Sequence, residues 1–206
     1  MSHLEFGRVR APGQTHVHIF NASLERDGYT SPHTMVMVVT DDMPFLVDSV
    51  NTVFSQSEVA VHLIVHPVLA VKRDGRGRLV EVGEASSEEL QAESWQLYEI
   101  DRQLDPARIE ELRQKVLASL GDVRVAVEDW MPMRRRVRAL IDSLQNNPPP
   151  LPSDEVNEAR GLLDWMEARH FVFLGYRYYR LERGTSEDRL VPDVRSGLGI
   201  LRSSRS

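Results

Sequence analysis

Seven histidines and several close-set acids are the side chains here that could do chemistry. His62 and His66 share one strand face, but four residues at ~3.3 Å each place them ~13 Å apart, too far to share one metal ion. His16 and His18, at ~7 Å, could pinch a metal, yet no neighbouring carboxylate completes the set. The expectation is that they are polar residues on the exposed side of strands. Asp41, Asp42 and Asp48, like Glu128 with Asp129, could be read as paired carboxylates for acid–base work. Acids at helix starts more often serve capping and the macrodipole, and that reading is preferred. Gly75-Arg-Gly77 and Gly197-Leu-Gly199 each lack the third glycine and the strand-to-helix setting of a dinucleotide fingerprint, which leaves turn duty. Arg134, Arg135, Arg136 and Arg138 would suit an anion patch but read more simply as a solvated helix face. No nucleophile–base pair emerges.

Composition narrows the field. The 206 residues carry 25 Lys and Arg against 31 Asp and Glu, a net charge of −6, which argues against a nucleic-acid partner. Zero cysteines exclude disulfides, thiolate nucleophiles and cysteine-ligated clusters, and with no signal peptide they favour a cytoplasmic setting. The longest apolar run, Val59 to Val71, is broken by His62, His66 and Pro67 and falls short of the ~20 residues of a membrane helix.

The elements that must position these residues follow from periodicity. A short strand is predicted over His16 to Ala22, and Thr34 to Thr40, apolar on both faces, reads as a central covered strand. Asp41-Asp42-Met43-Pro44 then offers an N-cap acid and a first-turn proline, so a helix should start there. Leu46, Val50, Val53 and Phe54 form its buried stripe, to about Gln56. Val59 to Val71 reads as one long strand, Arg73 to Gly77 as a hairpin turn leading to Leu79, Val80 and Val82, and Ser94 to Asp101 as another strand. Asp105-Pro106 opens a helix carrying Ile109, Leu112, Val116 and Leu120. Asp122 to Leu144 reads as helix interrupted near Asp129 to Pro132, although Val123, Val125 and Val127 equally fit a strand. Trp130, Met131 and Met133 suit core packing or contact with another domain or subunit. Pro148 to Pro152 reads as a stiff polyproline linker. Beyond it Ser153 can cap a helix bearing Val156, Leu163, Met166 and His170, and Phe171 to Leu181 reads as an aromatic strand. The divisions are residues 1–147, a linker at 148–153, and 154–206, too small to bury a good core alone.

The strand, Asp42-Met-Pro and Phe45-Leu-Val-Asp-Ser-Val50 unit resembles the start of ACT domains, small regulatory modules that bind amino acids. Ser31-Pro-His-Thr34, Asp42 to Val50, His66-Pro-Val68, Tyr98 to Arg102, Val123 to Trp130, His170 to Tyr176 and Leu198 to Leu201 are together similar to the N-terminal region of large bacterial NAD-dependent glutamate dehydrogenases. The resemblance implies an α+β fold, an ACT-like (ferredoxin-like) antiparallel sheet with helices on one face, followed by a helix plus strand that start a second unit. It also implies a regulatory fragment with no catalytic, cofactor or metal site of its own, NAD serving the parent enzyme. Self-association, contact with the rest of the parent polypeptide and an amino-acid effector are the implied partners. Many ACT domains carry Asp-x-Pro-Gly in the first loop, where glycine lets the ligand approach the backbone. Here Phe45 takes the glycine's place, and Asp42, Met43, Pro44 and Phe45 are the implied effector lining. If residues 122–129 are helical, the His16–Ala22 strand takes the sheet edge that the last ACT strand would occupy. The competing readings are a subunit-assembly domain without ligand, a stand-alone amino-acid-binding module, and an enzyme built on the histidines and acids.

Overall fold

The computed structural model describes residues 2–83, 90–184 and 187–202. Its elements are α1 (His3–Phe6), β1 (His16–Asn21), α2 (Leu24–Asp27), β2 (Thr34–Asp41), α3 (Leu46–Gln56), β3 (Val61–Val65), β4 (Val68–Arg73), β5 (Leu79–Gly83), β6 (Gln91–Ile100), α4 (Pro106–Glu128), α5 (Trp130–Asn146), α6 (Ser153–Trp165), a π-helical turn (Met166–His170), β7 (Gly175–Glu182) and β8 (Arg189–Gly199). The chain divides into two compact units, residues 1–121 and 122–206.

In the first unit an antiparallel sheet runs β1-β2-β6-β4-β5, with β3 also on β6. The expected α+β, ACT-like sheet is therefore present, and β1 pairs along β2 at the predicted edge. Seven of the eight β2 residues are buried, as its two apolar faces require. On one face α3 buries Leu46, Val50, Val53 and Phe54, the stripe read from the sequence, and the Phe54 ring meets Tyr98 edge-on at 5.5 Å. Leu112, Val116 and Leu120 of α4 are buried as predicted. Arg108 joins the two helices by donating to the Ser57 carbonyl at 2.7 Å. The opposite face holds Phe20, Met35 and Met37, packed by Phe6 and Leu97, so the N-terminal segment supplies its cover.

The single strand expected over Val59 to Val71 is two strands, β3 and β4, because Pro67 interrupts the ladder. Both lie along β6, and the Trp95 N–H donates to the Pro67 carbonyl across the break at 3.0 Å.

Residues 122–128 are helical, as the continuation of α4. Pro132 sits in the first turn of α5, where a missing N–H costs little. The boundary between units lies within α4, whereas the proline run at 148–153 is the turn between α5 and α6, which pack on one another. Ser153 is the first residue of α6, with Pro152 in the cap position, and makes no capping bond. The aromatic strand begins only at Gly175, after a turn in which Arg169 takes φ +70°.

Candidate functional site

The β2–α3 loop is the natural place to look, since β2 ends there in a covered sheet and α3 presents its N-terminus. Asp41 was expected to cap the helix but continues the ladder opposite Glu93. The Asp42 N–H donates to the Ala92 carbonyl at 3.0 Å, which holds that residue in extended backbone too. The cap position therefore passes to Phe45, and Pro44 precedes the helix instead of entering its first turn. Phe45 has φ +72° and ψ +4°, a left-handed conformation that glycine accepts without a steric cost. Its ring is 46% exposed, so it is not part of the core. Asp42 and Pro44 are exposed and Met43 is partly buried. These four residues form one continuous loop, with Asp48 in the first turn of α3, where the helix dipole favours an acid.

Across the sheet where this loop departs runs a row of buried polar side chains that the sequence reading did not single out. Thr40 and Ser94 are register partners on β2 and β6, and both are buried. Thr40 Oγ1 lies 3.0 Å from Thr15 Oγ1. Ser94 Oγ lies 2.8 Å from His66 Nε2 and accepts from Gln96 Nε2 at 2.8 Å, and the Tyr98 hydroxyl donates to Gln96 Oε1 at 2.5 Å. Burial, with Asp48 adding to it, pushes the Tyr98 phenol well above its ordinary pKa, so it stays a neutral donor. The chain runs from exposed His66 inward to fully buried Tyr98. Its only trace in the sequence is the alternation Ser94, Gln96, Tyr98 on one face of a strand.

On the other face at the same end lies a charged cluster. Glu93, fully buried, accepts from Arg73 Nε at 2.6 Å and Nη2 at 2.8 Å, and from Arg10 Nη2 at 2.7 Å. Arg10 also reaches Asp41 at 2.7 Å, and the Trp95 indole donates to Glu93 at 3.2 Å. Burial pushes the Glu93 carboxyl up, but the two guanidiniums outweigh it and hold it below the ordinary value of 4.5. Gly77 completes the anchor: it has φ +77°, and a Cβ there would stand 2.5 Å from the Arg10 carbonyl oxygen. Its carbonyl accepts from the Arg10 N–H at 2.9 Å. Arg10, Arg73 and Glu93 thus fasten the N-terminal segment to the sheet.

The histidines do not gather. His16 and His18, expected on an exposed face, are partly buried around Phe6, each ring 5.8 Å from it, and His18 stacks on Phe20 at 4.7 Å. Burial lowers the pKa of both. His62 meets Asp101 at 2.8 Å and its ring stacks on His33 at 4.0 Å, while His33 meets Glu99 at 3.2 Å. Among the described residues no group of three or more His, Asp or Glu side chains could hold a metal ion.

In the second unit Glu128 and Asp129 form ion pairs. Asp129 accepts from the Gly199 N–H at 2.7 Å and from Arg202, and Glu128 pairs with Arg202 at 3.0 Å. The arginines expected to form one solvated face have separate duties. Arg134 and Arg138 both pair with Glu167, and Arg136 lies over the Tyr176 ring at 5.9 Å. Trp130, Met131 and Met133 also part ways: Met133 is buried, Met131 is 56% exposed, and Trp130 meets Phe173 at 6.0 Å. Both Gly-x-Gly pairs lie in antiparallel hairpins, without the strand-to-helix turn of a dinucleotide cradle.

Comparison with known proteins agrees with the sheet and its loop. The family described as "Glutamate dehydrogenase, ACT1 domain" matches residues 1–116. The chain is 39% identical over 197 residues to an NAD-specific glutamate dehydrogenase of Halomonas elongata and 34% identical over 195 residues to one of Pseudomonas aeruginosa. These alignments cover 93% and 94% of this chain but 12% of each relative. A Mycobacterium tuberculosis NAD-specific glutamate dehydrogenase is 26% identical over 205 residues, 98% of this chain and again 12% of the relative. With a matching profile over more than half its length, on the sheet and helices that profile requires, the chain belongs to the glutamate dehydrogenase ACT1 domain family.

Proposed function

We propose that this chain is the regulatory and assembly segment of an NAD-dependent glutamate dehydrogenase, the parent enzyme converting L-glutamate and NAD to 2-oxoglutarate, ammonia and NADH. In this reading residues 1–121 sense an amino-acid effector at Asp42, Met43, Pro44 and Phe45 and pass that state to the rest of the polypeptide. The bond-breaking chemistry and the nicotinamide belong to other parts of the parent, since the glycine pairs here do not fit a dinucleotide. The cytoplasm is its proposed compartment.

The observation that carries the reading is the backbone at Phe45. It takes the left-handed conformation of the glycine in the ACT loop, so the path of a ligand-binding loop is kept although the side chain differs. Two further features support it. The first turn of α3 offers N–H groups to a ligand carboxylate. The Thr40, Ser94 and Gln96 row offers neutral hydrogen-bonding groups where the loop leaves the sheet.

The test is thermal unfolding of the chain with L-glutamate, L-aspartate and the other amino acids at millimolar concentration. A ligand present at ~100 times its Kd stabilises the folded state by ~2.7 kcal/mol, easily seen as a rise in Tm. The expected result is a rise with at least one amino acid that Asp42→Ala abolishes. A Tm indifferent to every amino acid rejects sensing and leaves assembly.

A further inference from the structure

The outer edge of β3 is an interaction surface of unusual make-up. β3 pairs with β6 on one side, and β5 extends the sheet beside β4 only, so among the described residues the other side of β3 has no strand. A strand edge presents aligned N–H and C=O groups whose natural complement is another strand. Folded proteins usually blunt such edges with lysine, proline or inward charge, and Val61-His-Leu-Ile-Val65 contains none of these. Leu63 is 44% exposed, Ile64 39% and Val65 44%, so apolar side chains stand open on both faces of one short edge. A bulge at His62 bends the strand, leaving Leu63 to Val65 as its regular part.

Beside this edge a groove of about 440 Å³ separates β3 from α3, lined by Asn51 and Ser55 of the helix and by Val61, Leu63 and Ile64 of the strand. The Asn51 side-chain oxygen is buried without a hydrogen-bond partner. A buried acceptor left unmatched costs ~1–3 kcal/mol, which an arriving donor would relieve.

We propose that this edge is where a second copy of the chain docks, β3 against β3, antiparallel about a two-fold axis at Ile64. Leu63 of one protomer then faces Val65 of its partner, and the two α3 helices approach across the groove. Charge decides in favour of a copy over an unlike partner. A two-fold contact sets each residue type near its own kind, so it must be almost uncharged. The chain as a whole is 27% charged with a net charge of −6, yet the 11 residues of α3 and the 5 of β3 carry one formal charge, Asp48. The regular edge is short, so pairing should be weak, with a Kd of roughly 10–100 µM. This gives the assembly half of the proposed function its surface, and does not depend on an effector.

Sedimentation of the 206-residue chain from about 10 µM to about 1 mM spans that range. The expected mass climbs from 23.5 kDa toward twice that value. Leu63→Lys should stay monomeric throughout with an unchanged Tm. Val80→Lys, at an equally open position on β5, should dimerise like the parent. Hydrogen exchange of the unmodified protein gives a reading free of substitutions: outward-facing amides of Leu63 to Val65 should slow as concentration rises. A monomer at the highest concentration, a dimer untouched by Leu63→Lys, or exchange at β3 indifferent to concentration overturns the proposal. Melting the monomeric Leu63→Lys variant with amino acids separates the two readings, because an effector shift that survives there leaves sensing intact even if pairing fails.

Discussion

The strand pairs β2–β6 and β7–β8 are both long antiparallel ladders, and they differ in almost everything except their hydrogen bonds. Seven of eight β2 residues are buried, while β7 has none buried and β8 has only Gly199. Tyr178, Tyr179, Leu181, Leu190 and Val194 of the hairpin are each 47–68% exposed. Ladder bonds contribute only ~1 kcal/mol each net of those given up to water, less than the ~1–2 kcal/mol needed to fix a residue's backbone. Cover makes the difference. β2 has helices on one face and the N-terminal segment on the other. The base of β7–β8 is held by individual fasteners, above all the Asp129 carboxylate on the Gly199 N–H and Arg202.

The harshest way to break this contrast is to remove the one buried carboxylate that neutralises two arginines. Glu93→Ala strands Arg10 and Arg73 without their shared partner, and deleting one side of such a cluster costs ~3–5 kcal/mol. The first unit's unfolding transition should drop sharply and exchange should accelerate across β2 and β6, with β7–β8 unmoved. A loss under ~1 kcal/mol would mean that the cluster is dispensable and that apolar cover alone holds the sheet. Next in size is Asp129→Ala, which removes hydrogen bonds worth ~1–3 kcal/mol from the hairpin's base. Exchange at the Gly199 amide and along β8 should rise while β2 stays protected. A uniform change in both units would show that they are not separately stabilised.

How much of this was legible in the sequence also divides along the contrast. The buried stripe of α3, the covered β2 and the α4 face were readable, because a core imposes a period on its residues. The break at Pro67 was missed because apolar alternation continues through it, and only the missing N–H gives it away. The cap was misplaced because Asp41 and Asp42 are good capping residues, but Arg10 and Ala92, distant in sequence, claim them for the sheet. The Glu93 cluster was invisible for the same reason: residues 10, 73 and 93 have no local relation, and a glutamate on a strand reads as solvent-facing. The four loop residues were found from resemblance to a family, whereas the polar row behind them needed coordinates.

Acid gives a gentler comparison. The Arg73 and Arg10 guanidiniums, against the opposing effect of burial, hold folded Glu93 below 4.5; Arg202, again against burial, holds folded Asp129 below 3.8. In both, the folded carboxyl binds its proton less tightly than the unfolded one, so its stabilisation is complete above the ordinary value and drains as pH falls toward the folded one. Stability should be level near neutrality, with the first unit weakening below about 4.5 and the hairpin base below about 3.8. Amide exchange followed from pH 6 downward would show that order. In Glu93→Gln the first unit's onset should flatten, and an unaltered onset would assign the acid response to other carboxyls.

The smallest expected effect falls on the residue that ties fold to function. Phe45 holds a left-handed backbone that costs a residue with a Cβ ~1–2 kcal/mol, and its half-exposed ring returns little burial. Glycine removes that cost but adds ~0.5–1 kcal/mol of unfolded-state entropy. Phe45→Gly should therefore leave Tm level or raise it slightly, while Phe45→Val, branched at Cβ, should lower it. The same substitution restores the glycine of the ACT loop and bares the backbone beside α3, so an amino acid that stabilises the parent chain should stabilise Phe45→Gly more. A Phe45→Gly variant destabilised by more than ~1 kcal/mol would show that the ring packs against something that outweighs the strain. In that case the loop mouth is shaped by Phe45 itself, and the effector reading must rest on the ring as part of the site.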